Sequence, residues 1–291
     1  MHLHDNLQRF VFEDTPIRGE IVRLDATYRA VLDRRDYPPA VREILGELMV
    51  AAALLASTLK FEGKLSMQIQ GHGPVKLLMA ECSESGAMRA LAQWQGAVEP
   101  APLERLIGSG RFVITIDPQD SQERYQGIVE LEGGSVAAAL EHYFAQSEQL
   151  DTRLWLAADR EQAAGMLLQK LPDSQLEDAD AWDRAVHLGS TLTRVELLSL
   201  PAHDLLRRLY HEEDIRLFAR QPLSFRCSCS RERVEAVLRM LGREEVESIL
   251  EERGDVEVDC EFCGAHYAFD PVDAAQLFTV PPPADTPTTR Q

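Results

Sequence analysis

At 291 residues, 45% of them apolar, the chain is long enough for one large domain with a core and at least one smaller unit. A formal net charge of −18 and a pI of about 4.9 set it against phosphate backbones and anionic lipid, so neither nucleic acid nor a membrane is expected as a partner. The longest apolar run, Leu48 to Ala56, spans nine residues, well short of the roughly 20 a membrane-crossing helix needs. The opening Met1-His2-Leu3-His4-Asp5 has no basic stretch followed by an apolar one. No secretory signal is therefore expected, and the expected location is the cytoplasm, where thiols stay reduced.

Taken in chain order, residues 1–172 read as an α+β domain, a mixed sheet with packed helices. Pro38-Pro39 opens a stretch, Ala40 to Leu59, that is apolar on nearly every side, the mark of a buried helix. Leu65, Met67 and Ile69 alternate with polar residues before Gly71-His72-Gly73-Pro74 turns the chain into Val75–Met79, which predicts a hairpin. The Gly71-x-Gly73 pair makes a poor phosphate loop, because Pro74 removes an amide and no third glycine opens a helix. Further strands are predicted at Arg111–Ile116 and Tyr125–Leu131, with helices near Val136–Phe144 and at Glu161–Leu171, the latter stopped by Pro172. Strands and helices do not alternate strictly, which disfavours a doubly wound sheet.

Composition shifts over 173–226. Acidic clusters (Glu177, Asp178, Asp180; Glu212, Glu213, Asp214) alternate with short amphipathic stretches bearing Leu197, Leu198, Leu200, Leu205, Leu206 and Leu209. Helices this short are marginal in water, so the segment is predicted to be a metastable helical linker whose leucines dock on a neighbour or stay partly molten. Residues 227–280 then form a small α+β unit. Ser230 caps a helix with Val234, Val237, Leu238 and Leu241 on one face, ended by Gly242; a second helix carries Val246, Ile249 and Leu250 and ends at Gly254. Val256–Cys260 and His266–Phe269 flank Cys260-Glu261-Phe262-Cys263-Gly264 as a hairpin, Asp270-Pro271 starts a last helix, and 281–291 is expected to be a disordered tail.

Four of the five cysteines lie in this unit. Cys227-x-Cys229, thirty intervening residues and Cys260-x-x-Cys263 supply two local pairs of soft ligands. Two such pairs clamp a single Zn²⁺ in tetrahedral thiolate coordination, one ion per chain, with Cys227, Cys229, Cys260 and Cys263 as its ligands. Four thiolates leave no open position on the ion, so no catalytic residue is assigned and the chain is not expected to be an enzyme. Cys82, in a predicted strand, reads as a small buried hydrophobe, and His266 as a surface residue of the hairpin. Two readings of the zinc site stay open. It is plain structure, or, since zinc holds the sulfurs as oxidisable thiolates and this unit has few large apolar residues, it is also a redox switch. A nucleic-acid module is disfavoured by charge: Cys227 to Asp270 holds five arginines, no lysine and twelve carboxylates, a net of −7. A thiol oxidoreductase is disfavoured because Cys260-x-x-Cys263 sits on a hairpin rather than at a helix N-terminus.

Cys227-x-Cys229-Ser230-x-x-Arg233 together with Cys260-x-Phe262-Cys263-x-x-x-Tyr267-x-Phe269-Asp270 resembles the redox-switch domain of the heat-shock protein 33 family. Tyr37-Pro38-x-x-Val41, Leu45-Gly46-Glu47-Leu48, Leu59-Lys60-Phe61-x-Gly63, Gln70-Gly71-x-Gly73-Pro74, Tyr125-Gln126-Gly127-Ile128-Val129 and Ser147-Glu148-Gln149-Leu150 are similar to signatures of the same family. The resemblance spans Phe10 to Phe278. It implies an ATP-independent holdase for unfolding proteins under oxidative and heat stress, inactive when reduced and zinc-bound. Oxidation would pair Cys227 with Cys229 and Cys260 with Cys263, release zinc, disorder the linker and expose apolar surface to unfolded clients. The active form would be a homodimer that later passes clients to ATP-dependent refolding chaperones. On that pairing Cys260–Cys263 is expected first, because residues two apart on a strand, like Cys227 and Cys229, sit about 6–7 Å apart at Cα, near the limit for a bridge.

Overall fold

The computed structural model describes residues 5–58, 63–119, 124–172, 178 and 180–279. The expected disordered tail, Leu59-Lys60-Phe61 and most of 173–179 lie outside the described residues. The chain divides into two units, Met1–Arg226 and Cys227–Gln291. The mixed α+β class expected from the sequence is what both contain.

In the first unit the chain runs through β1 (Asn6–Phe12), β2 (Ile17–Leu24), α1 (Ala26–Leu32), α2 (Pro39–Thr58), β3 (Gly63–Gly71), β4 (Val75–Ser83) and β5 (Ala87–Trp94). It continues through α3 (Leu103–Ile107), β6 (Gly110–Pro118), β7 (Tyr125–Val129), α4 (Val136–Tyr143), β8 (Thr152–Ala158) and β9 (Ala163–Lys170). Last come α5 (Ala181–Gly189), α6 (Arg194–Ser199), α7 (Ala202–Tyr210), β10 (Ile215–Leu217), β11 (Gln221–Pro222) and β12 (Ser224–Phe225). Two six-stranded sheets result. One is ordered β10-β1-β2-β9-β8 with β11 also on β1, the other β12-β5-β4-β3-β6-β7.

The uninterrupted apolar surface of α2 is explained by its place between the sheets, where residues such as Val41, Leu45, Leu48, Met49 and Leu54 are sealed from water in one cluster with Met67, Leu78 and Phe112. The Gly71–Pro74 turn joins β3 to β4 as expected. Gly73 is required there by close approach, since a Cβ would meet the Leu106 carbonyl oxygen at 2.5 Å.

The helix predicted at Glu161–Leu171 is instead β9. It pairs with β2 on one side and β8 on the other, and Ala163 to Gln169 are all buried. A central strand covered on both faces shows no alternation, so its apolar run reads like a buried helix. Gly165 records the crowding, since a Cβ there would meet Val50 at 2.4 Å.

The first sheet is covered on its other face too. Phe10, Phe12, Ile17, Ile21, Met166 and Leu168 pack against Leu197, Leu198, Leu205, Leu206, Leu209 and Tyr210 of α6 and α7. The leucines of the predicted linker are thus docked. The segment is helical only through α7, however. Residues 215–225 are extended and join the sheets, β10 and β11 on β1 and β12 in parallel on β5. Their few residues are held by main-chain pairing, which short-range periodicity does not encode. One polar contact also pins α6. The buried Arg23 guanidinium of β2 donates to the Leu198 and Leu197 carbonyls at 2.7 and 2.8 Å, meeting acceptors that a helix end leaves open.

The second unit comprises α8 (Arg231–Leu241), α9 (Arg243–Arg253), the hairpin β13 (Val256–Asp259) and β14 (His266–Phe269), and α10 (Pro271–Leu277). Ser230 caps α8 and Gly242 ends it, as the sequence indicates. Among the described residues six apolar side chains are buried here: Leu238, Val246, Val256, Phe269, Ala274 and Leu277. Val237 and Leu241, expected on the covered face of α8, are 62% and 50% exposed. A unit of three short helices and one hairpin covers only a narrow stripe of α8.

Candidate metal centre

The first cysteine pair lies on the extended segment between β12 and the Ser230 cap of α8. The second is held by the β13–β14 hairpin. There the Cys260 carbonyl accepts from the Gly264 amide at 2.7 Å, and the Cys260 amide donates to the Ala265 carbonyl at 2.9 Å. Gly264 adopts φ +71°, a left-handed conformation that favours glycine, and this closes the turn. The turn leaves both sulfurs of the hairpin facing the first pair.

Cys227, Cys229, Cys260 and Cys263 each place their Sγ within 4.8 Å of the other three. Cys227 and Cys260 sulfurs stand 3.6 Å apart, Cys229 and Cys263 sulfurs 3.3 Å. A tetrahedron with Zn–S bonds of about 2.3 Å has edges of roughly 3.8 Å, so the four sulfurs fit one such ion. All four are free thiols and partly buried. All four residues singled out by spacing are therefore brought together.

The thiols are not equivalent. Burial pushes Cys227 up and Cys263 up to about 12. Burial also opposes ionisation of Cys229, but hydrogen bonds from Tyr267 and the neighbouring thiols outweigh it and bring its pKa down to about 7. The Tyr267 hydroxyl donates to Cys229 Sγ at 3.2 Å. A divalent cation between the sulfurs would supply the positive charge that lets all four stand as thiolates. Nothing in composition or spacing assigns Tyr267 this contact. Its one signal in the sequence is its place in the motif that follows Cys263.

The remaining candidates stay outside the cluster. His266 is exposed and faces Asp259, with Nδ1 2.8 Å from the carboxylate. Cys82 lies on β4, 2% exposed, and burial pushes its thiol up to about 12, which leaves it unreactive. Glu130, Glu132 and His142 also come together, but the two carboxylates are exposed. Among the described residues no helix is long and apolar enough to cross a membrane.

Comparison with known proteins gives a consistent answer. The family model described as Hsp33 protein matches residues 5–270. A 33 kDa chaperonin of Methylobacillus flagellatus is 51% identical over 281 residues, 96% of each chain. One of Nitrosococcus oceani is 51% identical over 290 residues, 100% of each. The crystal structure of a 33 kDa chaperonin, a heat shock protein 33 homolog from Thermotoga maritima, matches with a TM-score of 0.80 over 95% of this chain and 98% of that one. At 21% identity that likeness speaks for the fold.

Proposed function

The chain belongs to the Hsp33 family, and from that premise we propose that it is a redox-regulated, ATP-independent holdase of the cytoplasm that keeps unfolding proteins from aggregating. The observation that carries the redox part is the convergence of four sulfurs within 4.8 Å in a unit with six buried apolar side chains. A zinc ion at those sulfurs supplies charge neutralisation and a crosslink between the two cysteine segments, worth about 10–16 kcal/mol in small zinc domains.

In the reduced state Cys227, Cys229, Cys260 and Cys263 are ligands. With peroxide as oxidant, one thiolate attacks the O–O bond, becomes a sulfenic acid and releases hydroxide. The neighbouring thiolate then displaces a second hydroxide to close the disulfide. Each bridge thus consumes two thiolates and one peroxide, and the proposed products are Cys227–Cys229 and Cys260–Cys263. Sulfurs paired in this way no longer serve as thiolate ligands. The unit loses its crosslink, 173–226 loses order, and the apolar faces of α6, α7 and the first sheet become accessible to unfolded clients. The active form would be a homodimer, with ATP-dependent refolding chaperones receiving clients downstream.

The test is to follow zinc release, disulfide mapping and suppression of aggregation of a denatured client during one peroxide titration at stress temperature. Zinc loss, the Cys260–Cys263 bridge and then the Cys227–Cys229 bridge should precede a rise in holdase activity. A main product bridging the two segments, such as Cys229–Cys260, overturns the pairing. Equal activity of reduced and oxidised protein reduces the centre to structure.

A further inference from the structure

β8 and β7 each lie at one end of a sheet of the first unit, and they are finished differently. On β8 two of the main-chain groups that point away from β9 are answered. The Leu154 amide donates to Glu141 Oε1 at 2.7 Å, and the Ala158 carbonyl accepts from Arg194 Nη2. On β7 they are not. Its one strand partner is β6, in a regular register from Phe112↔Val129 to Ile116↔Tyr125.

The direction of the β7 groups follows from the ladder. The His72 amide donates to the Ser109 carbonyl at 3.1 Å, so the odd residues of β6 pair toward β3 and the even ones toward β7. Phe112, Ile114 and Ile116 thereby engage Val129, Gly127 and Tyr125. The amides and carbonyls of Gln126 and Ile128 are left on the open edge, with no hydrogen-bond partner among the described residues.

This edge also lacks the usual guards against pairing. Tyr125–Val129 contains no lysine, no proline and no bulge. It carries exposed apolar side chains instead, Ile128 at 74% and Tyr125 at 47%. Beside Tyr125 lies a cavity of ≈ 450 Å³ lined by Ile114, Ile116, Tyr143, Phe144 and Leu150. The Tyr125 hydroxyl is fixed at its margin by Tyr143 at 2.8 Å and Glu148 at 2.9 Å. Charge is uneven along the edge. Arg124 at one end is already held by Asp117 at 3.3 Å, while the exposed carboxylates of Glu130 and Glu132 follow the other end.

We propose that the open edge of β7 pairs with an extended apolar segment of an unfolded polypeptide, whose lysine or arginine at one end lies beside Glu130 and Glu132. Alternating donors and acceptors match an extended backbone and not a helix, and this readout is indifferent to sequence, as capture of many clients demands. A five-residue edge is short for a second copy of this chain, since stable interfaces bury upward of about 1,200 Å². It suits a weak grip that gains strength when other apolar surface is freed. The inference rests on the holdase reading, for which it names a contact site that exists before oxidation.

The experiment uses the full chain, reduced with zinc and oxidised. The probe is a peptide of about ten residues alternating Val or Leu with Thr and ending in Lys-Arg, long enough to span the strand. Residue-resolved amide exchange should slow at Gln126 and Ile128, with Tyr125, Gly127 and Val129 unchanged. Ile128→Pro deletes one outward amide and spares the β6 ladder, so it should weaken the peptide about tenfold. Ile128→Thr keeps that amide and should bind within a few-fold of the parent. A peptide ending in Asp-Glu should bind more weakly than the basic one. Unchanged exchange at Gln126 and Ile128 overturns the proposal, as does protection there that grows with protein concentration in the absence of peptide. Aggregation suppression by the oxidised chain is read separately. If it fails while the two amides are protected, the holdase reading falls and the edge site stands.

Discussion

The Met1–Arg226 unit folds around a 20-residue helix sealed between two six-stranded sheets, with a second apolar layer beneath α6 and α7. The Cys227–Gln291 unit has, among its described residues, six buried apolar side chains and four sulfurs that face one another. Ordering a residue costs about 1–2 kcal/mol of backbone entropy in either unit. Area removed from water offsets that cost in the first. In the second, burial is sparser, and under the proposed zinc reading a crosslink between residues 227–229 and 260–263 would make up the difference. A region stabilised by many small contacts loses them gradually, whereas one stabilised by a single ion loses order at a single chemical event. Under the proposed function, that contrast would let one chain hold a permanent scaffold and a conditional part.

The largest effect should come from taking the crosslink away. Chelation of zinc, or Cys263→Ser, is expected to remove on the order of 10 kcal/mol from the second unit, against a whole-domain stability of about 5–15 kcal/mol. In a two-dimensional NMR spectrum the resonances of α8, α9 and the hairpin should collapse to unfolded positions, while those of α2 and strands β1 to β9 persist. A second unit that stays folded without metal, or an α2 and strands β1 to β9 that melt with it, would break the comparison.

A smaller effect is expected where α6 rests on the first sheet. The apolar contacts of Leu197, Leu198, Leu205 and Leu206 are supplemented by Arg23, whose pKa burial lowers to about 10, so that it stays charged at neutral pH. Arg23→Met keeps most of the stem but leaves two carbonyls at the end of α6 without their donor. The expected loss is about 3 kcal/mol for this docked layer. Amide exchange in α6 and α7 should rise about a hundredfold while α2 stays protected. Under the holdase reading, the reduced variant should also suppress aggregation more than its parent. Exchange that rises equally in α2 would show that the layer and the scaffold unfold as one.

Cysteine spacing, the Ser230 cap, Gly242, Gly254 and the turn after Cys260 made nearly the whole second unit legible, because in so small a unit each element is marked by local chemistry. The buried helix α2 and the hairpin β3–β4 were legible for the same reason. What escaped was information held between distant residues. β9 reads as a helix because its second face is hidden by α6 and α7, which come later in the chain. The strands β10 to β12 are defined by pairing with β1 and β5 rather than by their own periodicity. The Arg23 contact with α6 joins residues about 175 apart and has no sequence signature. At the candidate metal centre the four converging cysteines were legible and the Tyr267 contact was not.

The smallest effect tests how much misfit the larger core tolerates. Glu20 of β2 is almost wholly buried, accepts from the Ser57 hydroxyl, and has Arg9 at 3.8 Å. Burial raises its pKa from 4.5 to about 7, with Ser57 and the arginines opposing. Between pH 4.5 and 7 the folded protein therefore keeps a proton that the unfolded chain has released, so stability falls as pH rises through that window and levels off above it. Glu20→Gln removes the titration. Its stability relative to the parent should improve by about 2 kcal/mol between pH 5 and pH 8, read from denaturant midpoints of the first unit. A difference independent of pH would mean that Arg9 and Ser57 hold the carboxylate charged throughout. The first unit would then contain a satisfied ion pair, and its stability would owe less to apolar burial alone than the contrast with the second unit requires.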